Sequence, residues 1–156
     1  MIYTPKIQKA IDFTKEQYKE LLLLVLLGSW VRGGVADLKG EYSPKMDELE
    51  DYLLGKAKDF DLEHLAENFK GHMVPSDAFA KEYEAIIEEY NEDEFWSELE
   101  MLLGKRDFYE EATEQELETI EKKDGWLLGK VDQYYRKYQD EFEKYGIERL
   151  RIQSED

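Results

Sequence analysis

The chain has 156 residues, 42% hydrophobic and 13% aromatic, with 38 acidic side chains against 21 Lys and Arg, a formal net charge of −17 and no cysteine. It is too rich in Leu, Tyr, Phe and Trp for a disordered acidic tail, and long enough to bury a core, so one folded domain over residues 1–156 is expected. The missing cysteines exclude disulfides, thiolate metal sites and thiol nucleophiles, and fit a reducing, cytoplasmic setting.

The charge is not evenly spread. Glu41 to Asp124 holds 27 acidic residues against 9 Lys and Arg, a net −18. Such a field repels nucleic acid and anionic lipid and speeds encounter with cationic partners. Met1 to Lys6 lacks the basic and then apolar organisation of a secretory signal. The apolar run Leu21 to Leu27, even extended to Val31, falls short of the roughly 20 residues that span a bilayer. No membrane association is expected, and a buried central helix accounts for the run.

In chain order, Thr4 and Pro5 form the first helix-start signal, and Thr14 with Gln17 forms a capping box that could restart the helix before Gly33 and Gly34 end it. Leu21 to Leu27 is apolar all round, which predicts neighbours on several sides and burial of Leu22, Val25, Leu26 and Trp30. Ser43 and Pro44 start the next helix, and Asp61 can cap a short one running to Phe69. Gly71 to Pro75 reads as a loop, and Ser76 caps a long helix with a break near Asn91. Thr113 with Glu116 is another capping box. It opens either one helix to Tyr145 or two divided at Asp124 and Gly125. Only Ile147 to Ile152 and the first three residues look even faintly strand-like. The fold class is therefore all-α, a compact bundle of five to seven helices around a central apolar helix. Leu53, Leu54, Gly55 and Lys56 recur as Leu102, Leu103, Gly104 and Lys105, which reads either as a duplicated hairpin or as a common way to end a buried helix.

Carboxylates are the abundant reactive groups. Glu88 and Glu92 share a helix face, Glu89 lies beside them, and Glu121 and Asp124 form a later pair three residues apart. This spacing resembles the carboxylate pattern of the all-α nucleoside triphosphate pyrophosphohydrolases of the MazG and dimeric dUTPase group, over Glu88 to Asp124 only. The resemblance implies two antiparallel helices presenting carboxylates to Mg²⁺, which bridges them to a triphosphate attacked by activated water. The chain departs from the pattern where Gly125 and Trp126 follow the second pair and no basic cluster stands ready for phosphates. A solvated acidic helix face is the competing explanation. His64 and His72 lack the spacing of helical metal ligands, and neither Ser29 nor Ser76 sits in a nucleophile elbow. Tyr135, Tyr138, Phe142 and Tyr145 form an aromatic stripe, widened by Tyr134, that serves as core or as a docking face.

Weighing these, the sequence points to a protein-binding or regulatory module that engages a basic protein partner, of inhibitor, immunity or adaptor type, with no cofactor and no metal. Glu88, Glu92, Asp93, Glu94, Tyr134 and Tyr138 are the candidate partner-binding residues. A nucleic-acid mimic is a sharper form of that idea, direct nucleic-acid binding is not expected, and a homodimer is compatible with it. The enzymatic alternative is a Mg²⁺-dependent pyrophosphohydrolase using Glu88, Glu89, Glu92, Glu121 and Asp124.

Overall fold

The computed structural model describes residues 10–122 and 129–151, apart from the side chains of residues 121 and 122. The fold is mostly helical, with five α-helices and two short strands among the described residues: α1 Lys15–Lys39, α2 Pro44–Lys56, β1 Ala66–Phe69, β2 His72–Pro75, α3 Asp77–Glu111, α4 Glu114–Lys122 and α5 Gly129–Tyr145. Two 3₁₀ turns, Ala57–Phe60 and Glu63–Leu65, lie between α2 and β1. The chain divides after Ile87 into two compact units, each with its own buried cluster.

In the first unit the Thr14 capping box starts α1: the Gln17 N–H donates to Thr14 Oγ1 at 3.3 Å, and the Thr14 N–H donates to Gln17 Oε1 at 2.9 Å. The earlier signal at Thr4 and Pro5 lies outside the described residues, and residues 10–14 are not helical. Gly33 and Gly34 do not end α1. The helix runs through them to Gly40, which takes the left-handed conformation at φ 65° and donates to the carbonyls of Ala36 and Asp37. Tyr18, Leu22 and Leu26 pack with Leu54, Ala57, Leu62, Leu65 and Phe79. Tyr18 also stacks on Phe60 at 3.9 Å and donates from its hydroxyl to the Leu53 carbonyl at 2.8 Å.

The expected central position of α1 is not what the structure shows. Leu22 and Leu26 are buried, but Val25 is only partly so, Trp30 is 46% exposed and Leu24 is 66% exposed. One face of the helix meets the core and the opposite face meets solvent. By length and composition α1 is long and apolar enough to cross a membrane, with a window mean hydropathy of 1.7. A core helix passes the same test, yet only 11% of this window is buried.

The segment expected as a short helix and loop is instead an antiparallel hairpin, with Ala66 opposite Pro75 and Phe69 opposite His72. Lys70 and Gly71 both have positive φ, 54° and 95°, as a two-residue hairpin turn requires. Asn68 supplies the missing acceptor, its Oδ1 receiving the Gly71 N–H at 3.2 Å. Asp61 does not cap a following helix. It adopts a left-handed conformation at φ 54° that closes the turn before it, its N–H directed to the carbonyls of Ala57 and Lys58. Pro75 fits at the strand end, where no ladder donor is needed.

Ser76 caps α3 as expected, accepting the Phe79 N–H at 3.4 Å. No break occurs at Asn91, because one Asn costs a helix only a few tenths of a kcal/mol and turns on both sides continue the pattern. In the second unit the Thr113 and Glu116 box is formed. The point where a divided helix would break, Asp124 and Gly125, lies outside the described residues. Phe108, Ile120 and Val131 form the buried cluster, with Leu117, Tyr134 and Tyr135 against it, and Trp96 meets Phe142 at 5.5 Å between rings. The two copies of the Leu-Leu-Gly-Lys repeat differ in setting: one ends α2, the other lies inside α3.

Asp107 fastens α3 to α5. Its Oδ2 accepts from Lys137 Nζ at 2.7 Å and the Tyr138 hydroxyl at 2.6 Å, while its Oδ1 accepts from Arg106. Burial works to raise its carboxyl pKa, but the hydrogen bonds from Lys137, Tyr138 and Arg106 outweigh that and hold it well below the usual carboxylate range. Between α4 and α5, Lys130 first and then Thr113 lower Glu116 to about 2.

Two outcomes are expected of the second unit. A Cβ on Gly104 would lie 2.4 Å from Tyr135 Cδ1 and 3.1 Å from the Tyr134 backbone, so Gly104→Ala should destabilise by about 1–3 kcal/mol. At Gly55 the nearest atom would be Met73 at 3.6 Å, so Gly55→Ala should be neutral or stabilise by up to about 1 kcal/mol in denaturant titration. Equal losses at both positions would contradict this packing. Asp107→Asn should cost about 1–3 kcal/mol at neutral pH. Since the folded carboxyl is depressed, its contribution is full above the unfolded value near pH 4 and is lost as pH falls through the folded value. Thermal melts from pH 7 to pH 2 should therefore show a shallower acid loss in Asp107→Asn than in the parent.

Candidate functional site

One acidic recess of the first unit is a groove between α2 and the β-hairpin, about 640 Å³ in volume. Its α2 wall carries Asp47, Glu48, Glu50 and Asp51, a run placed there because Pro44 sets the helix start and Leu49, Leu53 and Leu54 mark its apolar positions. Its other wall is hairpin: Phe69, Lys70, His72, Met73, Val74 and Pro75. Tyr42, 75% exposed, also lines the groove, and Phe69 is 56% exposed.

Asp51 locks the two walls together. Its Oδ1 accepts the Met73 N–H at 2.8 Å and its Oδ2 lies 3.0 Å from His72 Nδ1. The Met73 N–H, and secondly the His72 ring, lower its pKa. The Tyr42 hydroxyl donates to Asp47 and is raised in pKa by that bond. Lys70 Nζ sits 5.0 Å from the Phe69 ring centroid. Four carboxylates thus line an opening that Lys70 also lines, with His72 already paired to Asp51. Chemically such a recess accepts a cation with an apolar or planar stem, the stem against Tyr42 or Phe69 and the charge on the carboxylates.

The residues singled out from sequence lie elsewhere. Glu88, Glu89, Glu92, Asp93 and Glu94 are all exposed on α3 in the second unit. A shallow hollow of about 330 Å³ gathers Glu89, Glu92 and Asp93 with Trp96 and Glu100, without Glu88 or Glu94. Burial, then the charge of Asp93, raises the Glu100 pKa. Of the carboxylates in the hydrolase pattern, Asp124 and the side chain of Glu121 lie outside the described residues. No group of three or more His, Asp and Glu among the described residues is arranged to hold a metal ion. Tyr134 and Tyr138 are half-buried and their hydroxyls are engaged within the unit: Tyr134 donates to Glu111 at 2.6 Å and Tyr138 to Asp107.

The α2 groove was missed because its second wall was read as a loop. The available signal was Asn68 to Gly71 between Ala66–Phe69 and His72–Pro75, a turn tetrad flanked by two four-residue segments. The Asp51 clasp generates a direct check. In Asp51→Ala the Met73 amide should lose its protection in hydrogen exchange, whereas Asp51→Asn, which keeps an acceptor oxygen, should retain most of it. Unchanged protection in the alanine variant would show that the carboxylate does not hold the strand. No family model matches the chain, and no curated protein or solved structure is significantly similar to it.

Proposed function

We propose that the protein is an acidic helical binding module that engages a basic protein partner, in the manner of an inhibitor, immunity protein or adaptor, and that the α2–hairpin groove is its contact site. One observation carries the reading: Asp47, Glu48 and Glu50 share a recess with the exposed rings of Tyr42 and Phe69. Acidic surface alone solubilises. Aromatic surface beside it supplies the contact area and low entropic cost that hold a Lys or Arg side chain in place. The wider acidic region, Glu89, Glu92 and Asp93 included, adds steering at long range.

Arg- and Lys-rich peptides with and without an interspersed Leu or Phe are suitable probes, followed by fluorescence anisotropy and stopped flow. Binding should weaken steeply with salt and favour the peptides with apolar residues. Asp47→Asn, Glu48→Gln and Glu50→Gln together should slow association by about tenfold, and Phe69→Ala should mainly speed dissociation. Amides at Glu110 and Glu114 serve as the control for general charge loss. A groove variant that binds no worse than this control would overturn the assignment of the site.

A further inference from the structure

The solvent-facing side of α1 is a regular apolar stripe. Leu24, Gly28, Val31, Val35 and Leu38 follow one another at steps of four, three, four and three, the spacing of a helix seam that packs against another helix, and Leu21, partly buried against the core, lies at the edge of the stripe. Leu24, Val31, Val35 and Leu38 are 66%, 54%, 47% and 89% exposed, while Tyr18, Leu22 and Leu26 on the opposite side are in the core. The helix also carries internal glycines that no close contact among the described residues requires. A Cβ on Gly28, Gly33 or Gly34 would meet nothing within 4 Å among the described residues, yet each glycine weakens a helix relative to Ala. Gly28 lies in the stripe itself, where a closely approaching helix would use the space.

Charge identifies the occupant. The chain carries −17, but α1 has four basic side chains, Lys15, Lys19, Arg32 and Lys39, against three acidic ones, Glu16, Glu20 and Asp37. It is the strip along which two copies of an otherwise repelling molecule can meet. A bilayer fits less well. Although α1 is long and apolar enough to cross one, Arg32 and Asp37 interrupt its apolar stretch, and the anionic protein is repelled by anionic headgroups.

We infer that this stripe is a homodimer interface, in which α1 packs antiparallel against α1 of a second copy. Antiparallel pairing opposes the helix dipoles and sends the acidic segments that follow each α1 to opposite ends. The register that pairs most of the stripe sets Leu24 against Val35, Val31 against Gly28 and Leu38 against Leu21 of the other copy. A hollow of about 470 Å³ beside Val31 and Val35, bounded by Tyr42 and Met46, widens the contact. The whole covers on the order of 1,000 Å², near the lower limit for specific complexes, so the dimer is weak and tightens as salt screens the repulsion.

Sedimentation equilibrium of the full chain across concentration and salt tests this directly. A reversible monomer–dimer equilibrium that strengthens with salt is expected. Val31→Glu, at an exposed position, should keep the helical circular dichroism and weaken the dimer at least about tenfold. Gly28→Ala should raise the melting temperature of the dilute monomer while weakening the dimer, opposite signs that a purely intramolecular role cannot give. Because the chain has no cysteine, single substitutions report the arrangement. Under mild oxidation Val31→Cys should cross-link, its two copies lying about 5 Å apart along the axis, and Leu38→Cys, about 25 Å apart, should not. A monomer at every concentration and salt would overturn the inference, as would equal cross-linking at both positions. So would a protein that stays monomeric in solution but sediments with phosphatidylcholine or phosphatidylglycerol vesicles.

Discussion

Self-repulsion is the constraint under which this chain folds. Thirty-eight carboxylates face 21 Lys and Arg, so cations placed between elements do more than those on open helix faces. Lys19 of α1 meets Glu82 of α3, Lys130 of α5 meets Glu116 of α4, and Lys137 of α5 meets Asp107 of α3, at 2.7 to 2.8 Å. The exposed pairs are screened by solvent and contribute little each. Asp107 differs because its own side chain is 10% exposed and three donors converge on it. There the acid is turned from a source of repulsion into a joint, and the neighbouring Gly104 lets the two helices come close enough for the donors to reach.

The parts of the fold legible in the sequence were those with a local cause. Both capping boxes, Thr14 with Gln17 and Thr113 with Glu116, depend on residues three apart and form as written. The Ser43–Pro44 and Ser76 starts hold for the same reason, although Ser43 makes no side-chain cap bond. What failed depended on distant partners. Leu21 to Leu27 is apolar on every side, but periodicity cannot say how many neighbours a helix will find, and one side of α1 is left exposed among the described residues. The hairpin was hidden because Lys70 occupies a left-handed position that Asn or Asp usually fills, and its stability comes from Asn68 and from Asp51 on another element. The groove was hidden with it.

That dependence changes how the acidic region is read. Counting carboxylates places the charge in the middle of the sequence and singles out Glu88 to Glu94, which lie exposed on α3, with Glu89, Glu92 and Asp93 beside Trp96 in a shallow hollow. Asp47 to Asp51 are less conspicuous in sequence and more confined in space, because the hairpin supplies an opposing wall with a ring on it. Density of charge marks a region, whereas shape decides where a ligand can be held.

The hydrogen bond from the Met73 amide to Asp51 has a further meaning for solubility. A two-stranded sheet has two open edges, each a template on which another extended chain can pair. In this register Met73 points its N–H away from β1 and would be free to donate to a neighbour, but the α2 carboxylate already receives it. Pro75 offers no donor on the same edge, and Glu67 places a charge on the other strand. The fold therefore carries a small sheet without presenting an edge from which aggregation could readily start, and α2 stands where a third strand would otherwise add.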